Sequence, residues 1–306
     1  MSPEPDAVRV RVEDRVLKLS NLHKVLYPAT GTTKGEVLDY YARVASVMLP
    51  HLGRRPVTRK RWPDGVESEP FFEKNVPRGT PEWVPTVTMA TPGSSRGRET
   101  ITFPLVQDLA TLTWVVNLAA LELHVPQWQV GPRGAERMPD RLVVDLDPGA
   151  PAGLRECAEL AVLVRDRLAE DGLHAVPVTS GSKGLQLYAA VSGRQDADVL
   201  RRYAKRLAEE LTRAHPHLVL ANMTRAVRGG KVLLDWSQNH AAKTTICPYS
   251  LRGREHPDVA APRTWDEIED VAGLRQLSYS EVLDRVADNG DLASALFRPG
   301  PRVPTS

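Results

Sequence analysis

The chain has 306 residues, 40 Lys and Arg against 38 Asp and Glu, a net charge of +2, and 42% hydrophobic residues. This globular composition excludes disordered and fibrous classes. No run approaches the roughly 20 apolar residues of a membrane span, the N-terminus lacks a signal-peptide core, and Cys157 and Cys247 alone cannot build a disulfide or zinc framework. The expectation is a cytoplasmic protein with no membrane contact. Basic residues cluster at Arg54 to Arg61, at Arg225, Arg228 and Lys231, and from Lys243 to Arg254, while acids gather at Asp266 to Asp270. One basic face opposite an acidic one suits a phosphate-backbone binder, and an arginine-rich solvated surface is the plain alternative.

In chain order, Thr33 and Glu36 form a capping box before the apolar stripe Val37, Tyr40, Tyr41, Val44 and Met48, which predicts a helix ending before Gly53. Short alternating runs from Val57 to Phe103 read as strands. Asp108 caps a second helix through Leu109, Leu112, Trp114, Val115, Leu118 and Leu121, apolar nearly all round and therefore buried, with His124 following it. The polar stretch 129–140 is the expected boundary between modules. Beyond it come a strand at Leu142 to Asp147, a helix from Leu154 to Glu170, strands at His174 to Thr179 and Leu185 to Ala190, a basic helix from Asp196 to His215, and a strand at Lys231 to Trp236. This order predicts an α+β fold with helices on one face of a sheet, resembling an RNA-recognition-motif core. The boundaries drawn are an extension at 1–16, a single domain at 17–295 (module 17–128, loop 129–140, core 141–295), and a disordered linker or tail at 296–306.

The chemistry concentrates in the second half. Asp145 and Asp147 alternate on one strand, so they point to one face, and Pro148 and Gly149 end the strand there. Paired carboxylates repel unless a cation lies between them, and oxygen donors without cysteine favour Mg²⁺ or Mn²⁺. Two solvent-facing aspartates are the alternative. Asp235 ends another apolar strand. If the two strands are neighbours, three carboxylates could hold two ions about 4 Å apart for in-line nucleotidyl transfer. Ser180, Gly181, Ser182, Lys183 and Gly184 form a turn whose backbone N–H groups and side chains suit phosphate, without Walker A spacing. A plain hairpin turn is its alternative. His124 reads by itself as a packing residue, Trp114 and Trp236 as core, and Trp62, Phe71 and Phe72 as either core or base-stacking aromatics.

The motifs that follow one another are His23 to Pro28 with Gly31 to Lys34, Arg59 to Gly65, Phe71 to Lys74, Glu122 to Pro126, Asp145 to Gly149, Ser180 to Leu185, Asp235 to Asn239, and Lys243 to Ile246 leading to Tyr249 to Arg254. In this order, from about residue 17 to 295, the chain resembles the polymerase domain of the bacterial non-homologous end-joining ligase D, in the archaeo-eukaryotic primase superfamily. The resemblance implies an α+β fold: an RNA-recognition-motif-like antiparallel-sheet catalytic core beside an N-terminal α/β module. It implies that Asp145, Asp147 and Asp235 bind two Mn²⁺ or Mg²⁺ ions. Ser180, Lys183 and Arg252 would hold the incoming triphosphate, with Arg61, Lys74 and His124 facing the nucleotide or its sugar. Lys24 and Lys34 would bind the 5′-phosphate of a downstream strand, Phe72 the template, and Arg228 the primer terminus. The implied activity is templated, ribonucleotide-preferring extension at gaps and ends. The implied partners are double-stranded DNA ends, gapped DNA, ribo- and deoxyribonucleoside triphosphates, Ku and a separate ATP-dependent ligase.

One position departs. Gln186 stands where the family normally carries histidine, so a charged phosphate donor is replaced by a neutral one, an expected loss of about 1–2 kcal/mol in triphosphate binding. Two other functions compete with the polymerase: an end-bridging protein with weak catalysis, and a primase-like enzyme that needs no primer. Three repelling aspartates favour a catalyst over a pure binder. The chain carries no ligase or phosphoesterase module, so it is either a stand-alone polymerase or an excised domain.

Overall fold

The computed structural model describes residues 7–90, 99–222 and 229–305. Helix α1 (Lys34–Leu52) starts as the sequence predicts: the Thr33 hydroxyl accepts from Glu36 N, and the Glu36 carboxylate accepts from Thr33 N. Its stripe of Val37, Tyr40, Tyr41, Val44 and Met48 is buried in the N-terminal core. Helix α2 (Leu109–Asn117) is shorter than the apolar run that suggested it. Ala119, at φ 59°, breaks the run, and Ala120–Val125 continues as a strand. A continuous apolar run fits a buried strand as well as a buried helix, which is why periodicity misassigned residues 118–121. His124 therefore lies on a strand rather than beyond a helix.

That strand is central in a four-stranded antiparallel sheet ordered Thr245–Ile246, Ala120–Val125, Thr58–Arg61, Phe71–Glu73. Ahead of it, Ala7–Val12 and Arg15–Ser20 form a hairpin docked on α2. The Glu13 carboxylate accepts from Ala110 N at 3.1 Å, and the Asn117 amide bonds Ser20 N and Lys18 O. The boundary drawn at residues 16 and 17 thus falls inside one hairpin strand.

The core sheet has six strands in the order Val219–Leu220, Val232–Asp235, Arg141–Pro148, Leu185–Ala190, Ala175–Thr179, Ala261–Pro262. All its pairings are antiparallel except that of Val219–Leu220 with Val232–Asp235. Leu142, Val144 and Leu146 pack under α3 (Leu154–Glu170) and α4 (Ala197–Ala214). Val143 packs instead with Tyr188 and Ile246, the latter a residue of the other sheet. Period-two alternation then turns Asp145 and Asp147 away from the helices, towards the N-terminal module.

The C-terminal segment corrects a second expectation. Val303 is buried and exchanges both backbone bonds with the Gln195 side chain, Arg206 donates to Pro304 O, and Ser192 N donates to Pro301 O. Proline-rich composition reported missing backbone donors, not missing contacts.

Candidate active site

Asp145 and Asp235 are direct register partners across two antiparallel strands, and Asp147 follows on the same face. Asp235 is the last paired residue of its strand, because the chain turns there into a 3₁₀ helix, Trp236–Asn239. Asn239 then takes over the ladder: its Oδ1 accepts from Val143 N at 2.9 Å, and its Nδ2 donates to Val143 O at 2.7 Å. On the other side of Asp145 lies Gln186, whose Nε2 donates to Asp145 Oδ1 at 3.1 Å while its Oε1 accepts from Tyr188 OH at 2.9 Å. Burial and the facing Asp235 raise the Asp145 carboxyl to about 7, against the bond from Gln186.

The donor set suits a hard divalent cation, since carboxylates that repel one another share one edge and offer oxygen donors. Closure is incomplete. Asp235 accepts from Ser237 and Gln238, with Lys243 Nζ 4.0 Å away. Among the described residues, no three His, Cys, Asp or Glu groups already stand together in ligand geometry.

Asp145 and Asp147 line an open cleft of about 850 Å³ together with Ser180, Ser182, Lys183, Gln186, Arg252 and Arg254. Carboxylates and cations therefore share one chamber. The glycine turn supplies side chains to it more than backbone donors. Ser180 Oγ accepts from the N–H groups of Ser182 and Gly184, and Gln276 Oε1 accepts from Gly181 N at 2.7 Å. These bonds consume donors that the sequence reading assigned to phosphate. Gly181 has φ +64°, and a Cβ there would lie 2.6 Å from Arg252 Cγ, so the glycine lets Arg252 pass against the turn.

Arg252 leads to a residue to which sequence reasoning gave no role. Glu122 is 1% exposed on the His124 strand. Its carboxylate accepts from His124 Nε2 at 2.8 Å and Gly253 N at 3.1 Å, and lies 3.3 Å from Arg252 Nε. Burial opposes its charge, but the His124 bond and the Arg252 cation outweigh that and bring it down to about 2. Burial lowers the His124 pKa despite Glu122. A group depressed from 4.5 to about 2 contributes stability that is fully present above pH 4.5 and lost as pH falls through 2. Replacing Glu122 with Gln should therefore cost roughly 3 kcal/mol at neutral pH, and progressively less below pH 4.5. Denaturant unfolding of both proteins at pH 7 and pH 3 checks this, and a gap independent of pH would count against it.

The remaining candidates divide. Trp62 is 2% exposed and cannot stack on a base, whereas Phe71 and Phe72 are 42% and 54% exposed on an edge strand. Phe72 meets His124 edge-on, and Lys60 Nζ lies 5.4 Å from its ring centroid. Arg61 does not line the cleft. Its Nε donates to Leu118 O and its NH1 to Glu73, and its charge acts on Lys34. Lys74 is exposed just past the Phe72 strand. Lys24 pairs with Asp64 at 2.7 Å, and Lys34 Nζ donates to Ser20 O at 2.7 Å. Burial, Lys24 and Arg61 lower the Lys34 ammonium to about 8. These three cations thus form a second group on the N-terminal module. Arg228 lies outside the described residues.

The family model of the LigD primase-polymerase domain matches residues 33–293. The chain belongs to this family. It is 51% identical over 294 residues to the multifunctional non-homologous end joining DNA repair protein LigD of Mycobacterium tuberculosis, covering 94% of this chain and 38% of that protein. It is 33% identical to the bifunctional non-homologous end joining protein LigD of Bacillus subtilis, covering 90% of this chain and 43% of that one. The chain thus spans less than half the length of these LigD relatives. The polymerase domain of M. tuberculosis ligase D, solved in complex with DNA, superimposes with a TM-score of 0.87 at 50% identity, over 93% of this chain and 98% of that one. Within this LigD primase-polymerase chain, Gln186 lines the same cleft as Lys183 and Arg252 and also donates to Asp145. No helix of the described residues is long and apolar enough to cross a membrane.

Proposed function

We propose that the chain is a template-dependent nucleotidyltransferase that fills gaps and extends broken ends in bacterial non-homologous end joining. The observation that carries this reading is the facing of Asp145 and Asp235, where Asp145 and Asp147 line a cleft with Lys183 and Arg252. Asp145, Asp147 and Asp235 would hold divalent cations, Mg²⁺ or Mn²⁺, which when bound lower the pKa of an attacking hydroxyl and neutralise a leaving pyrophosphate. Lys183, Arg252 and Arg254 bind the polyphosphate as fixed positive charge. Glu122 orients Arg252 by a buried ion pair and His124 by a hydrogen bond, and Phe72 offers an exposed ring to an unpaired template base. Ribonucleotide preference, and assembly with Ku and an ATP-dependent ligase, complete the reading. Primer extension on a gapped duplex, with Mg²⁺ or Mn²⁺ and either ribo- or deoxyribonucleotides, tests it. No extension with any combination would overturn it.

Lys24 and Lys34 are read as a receptor for a downstream 5′-phosphate, so gapped DNA bearing that phosphate should bind more tightly than the hydroxyl form. A well-formed charge-assisted contact is worth roughly 1.5–3 kcal/mol, and the half-exposed Lys24 supplies less than Lys34. Since the Lys34 ammonium is lowered to about 8, it loses its proton as pH rises through that value. The preference should therefore be full at pH 7 and fall between pH 8 and 9.5, where binding must first take up a proton. Fluorescence anisotropy with both end types across this range checks it. Equal affinities at pH 7 would leave the two lysines as solvated surface groups.

A further inference from the structure

The N-terminal hairpin has two unlike faces. Val10, Val12, Leu17 and Leu19 pack onto the N-terminal core. Arg9, Arg11, Val16 and Lys18 are exposed on the other side. Arg9 stands directly opposite Lys18 in the register, and Arg11 opposite Val16. Like charges placed opposite one another across a sheet repel. The two acids of the turn are engaged elsewhere, Glu13 at the N-terminus of α2 and Asp14 with Arg15. Among the described residues, no ion pair joins Arg9, Arg11 or Lys18 to any acid.

This ribbon is held in place. Glu13 fixes its turn to the first residues of α2, and Asn117 fixes its open end to the last. Its cations therefore stand on a rigid support. Arg9 and Arg11 are two residues apart on one face, about 7 Å along the strand. The open end also leads to the second cationic group, because Ser20 O receives the Lys34 ammonium. The exposed face thus continues a track of positive charge that begins at Lys24 and Lys34.

We propose that the outer face of this hairpin, through Arg9, Arg11 and Lys18, binds the phosphate backbone of the double-stranded DNA beyond the 5′-phosphate. The proposal rests on the reading of Lys24 and Lys34 as the 5′-phosphate receptor. A polyanion with charges repeated at short intervals removes the repulsion between Arg9 and Lys18 and is complementary to this strip of cations. The contacts are to backbone alone, so they add affinity and orientation without sequence preference. A protein that grips the downstream duplex along its length holds two DNA ends in line across a gap.

The test compares the full chain with the triple variant Arg9→Gln, Arg11→Gln, Lys18→Gln, using gapped DNA with a short or a long downstream duplex and a 5′-phosphate or 5′-hydroxyl end. All three side chains are exposed and two of them repel, so the variant should melt no lower than the parent. For the parent, affinity should rise with downstream length. In the variant that rise should vanish, and the salt dependence of log K should become shallower by about 0.9 per lost contact, about 2.7 in all. The preference for the 5′-phosphate should persist in the variant and disappear in Lys34→Ala. An unchanged length dependence and salt slope in the triple variant, with the 5′-phosphate preference intact, would overturn the hairpin proposal alone. Loss of the 5′-phosphate preference in the parent itself would overturn the underlying reading instead. Hairpin-dependent binding to phosphatidylserine vesicles with DNA binding unaffected would assign the face to a lipid surface and overturn the proposal.

Discussion

Replacing Asp145 with Asn should abolish primer extension and, without metal, raise the melting temperature. The substitution keeps an oxygen to accept from Gln186 Nε2 and removes the charge that faces Asp235. Opposed like charges in a sheet cost up to about 1 kcal/mol, so melting in a chelator should rise by about 2 °C for a chain of this size. Activity should move the other way, by a factor of at least about 10³, since a neutral amide is a poor ligand for a hard divalent cation. DNA binding should stay near that of the parent, because Asp145 is no phosphate contact. Asp235→Asn should lose activity equally without the gain in stability, because the Asp235 carboxylate also accepts from Ser237 N and Gln238. Extension by either variant at the parent rate would refute the assignment of these residues as metal ligands.

Gly184→Ala should be among the most damaging single changes outside the aspartates. A Cβ at Gly184 would lie 2.1 Å from Leu146 O, a backbone atom of the strand that carries Asp145. Leu146 is paired with Leu185, so relief requires the two central strands to part. Overpacking against a fixed backbone costs about 3 kcal/mol or more, equivalent here to a fall of roughly 6 °C or more. Gly172→Ala provides the comparison. Gly172 has φ +72° and nothing within 4 Å of a built Cβ, so alanine there meets only the left-handed backbone penalty, about 1 kcal/mol. Thermal melting of both variants decides it. Equal losses would mean that the strands around Gly184 yield more easily than their pairing implies.

The parts of the site that were legible in the sequence are those governed by local rules. Period-two alternation was enough to place Asp145 and Asp147 on one face, and to put Gln186 on the same side as Tyr188. The capping box at Thr33 could be read directly. That the Asp235 strand lies next to the Asp145 strand was stated as a condition, and the register meets it. Long-range pairing was not legible. Gln276 bonds Gly184 O from 92 residues away, and nothing in its neighbourhood marks it. Glu122 reads as an ordinary surface acid until burial, two donors and the Arg252 cation show otherwise, although its alternation with His124 on an apolar run was a usable signal. Arg61, expected to face the nucleotide or its sugar, is bonded to Leu118 O and Glu73, partners that its local sequence does not mark.

Asn239 has a consequence for the spacing of charge at this edge. Its amide occupies the rung that a further residue of the Asp235 strand would have filled opposite Val143. The strand is thereby fixed in length as well as in direction, and its terminal carboxylate is kept level with Asp145. A slip of one residue would carry Asp235 about 3.3 Å along its neighbour and turn its side chain to the opposite face. One side-chain amide thus serves as the length standard of the carboxylate edge, and the separation of the two facing acids is inherited from a residue that bonds neither of them.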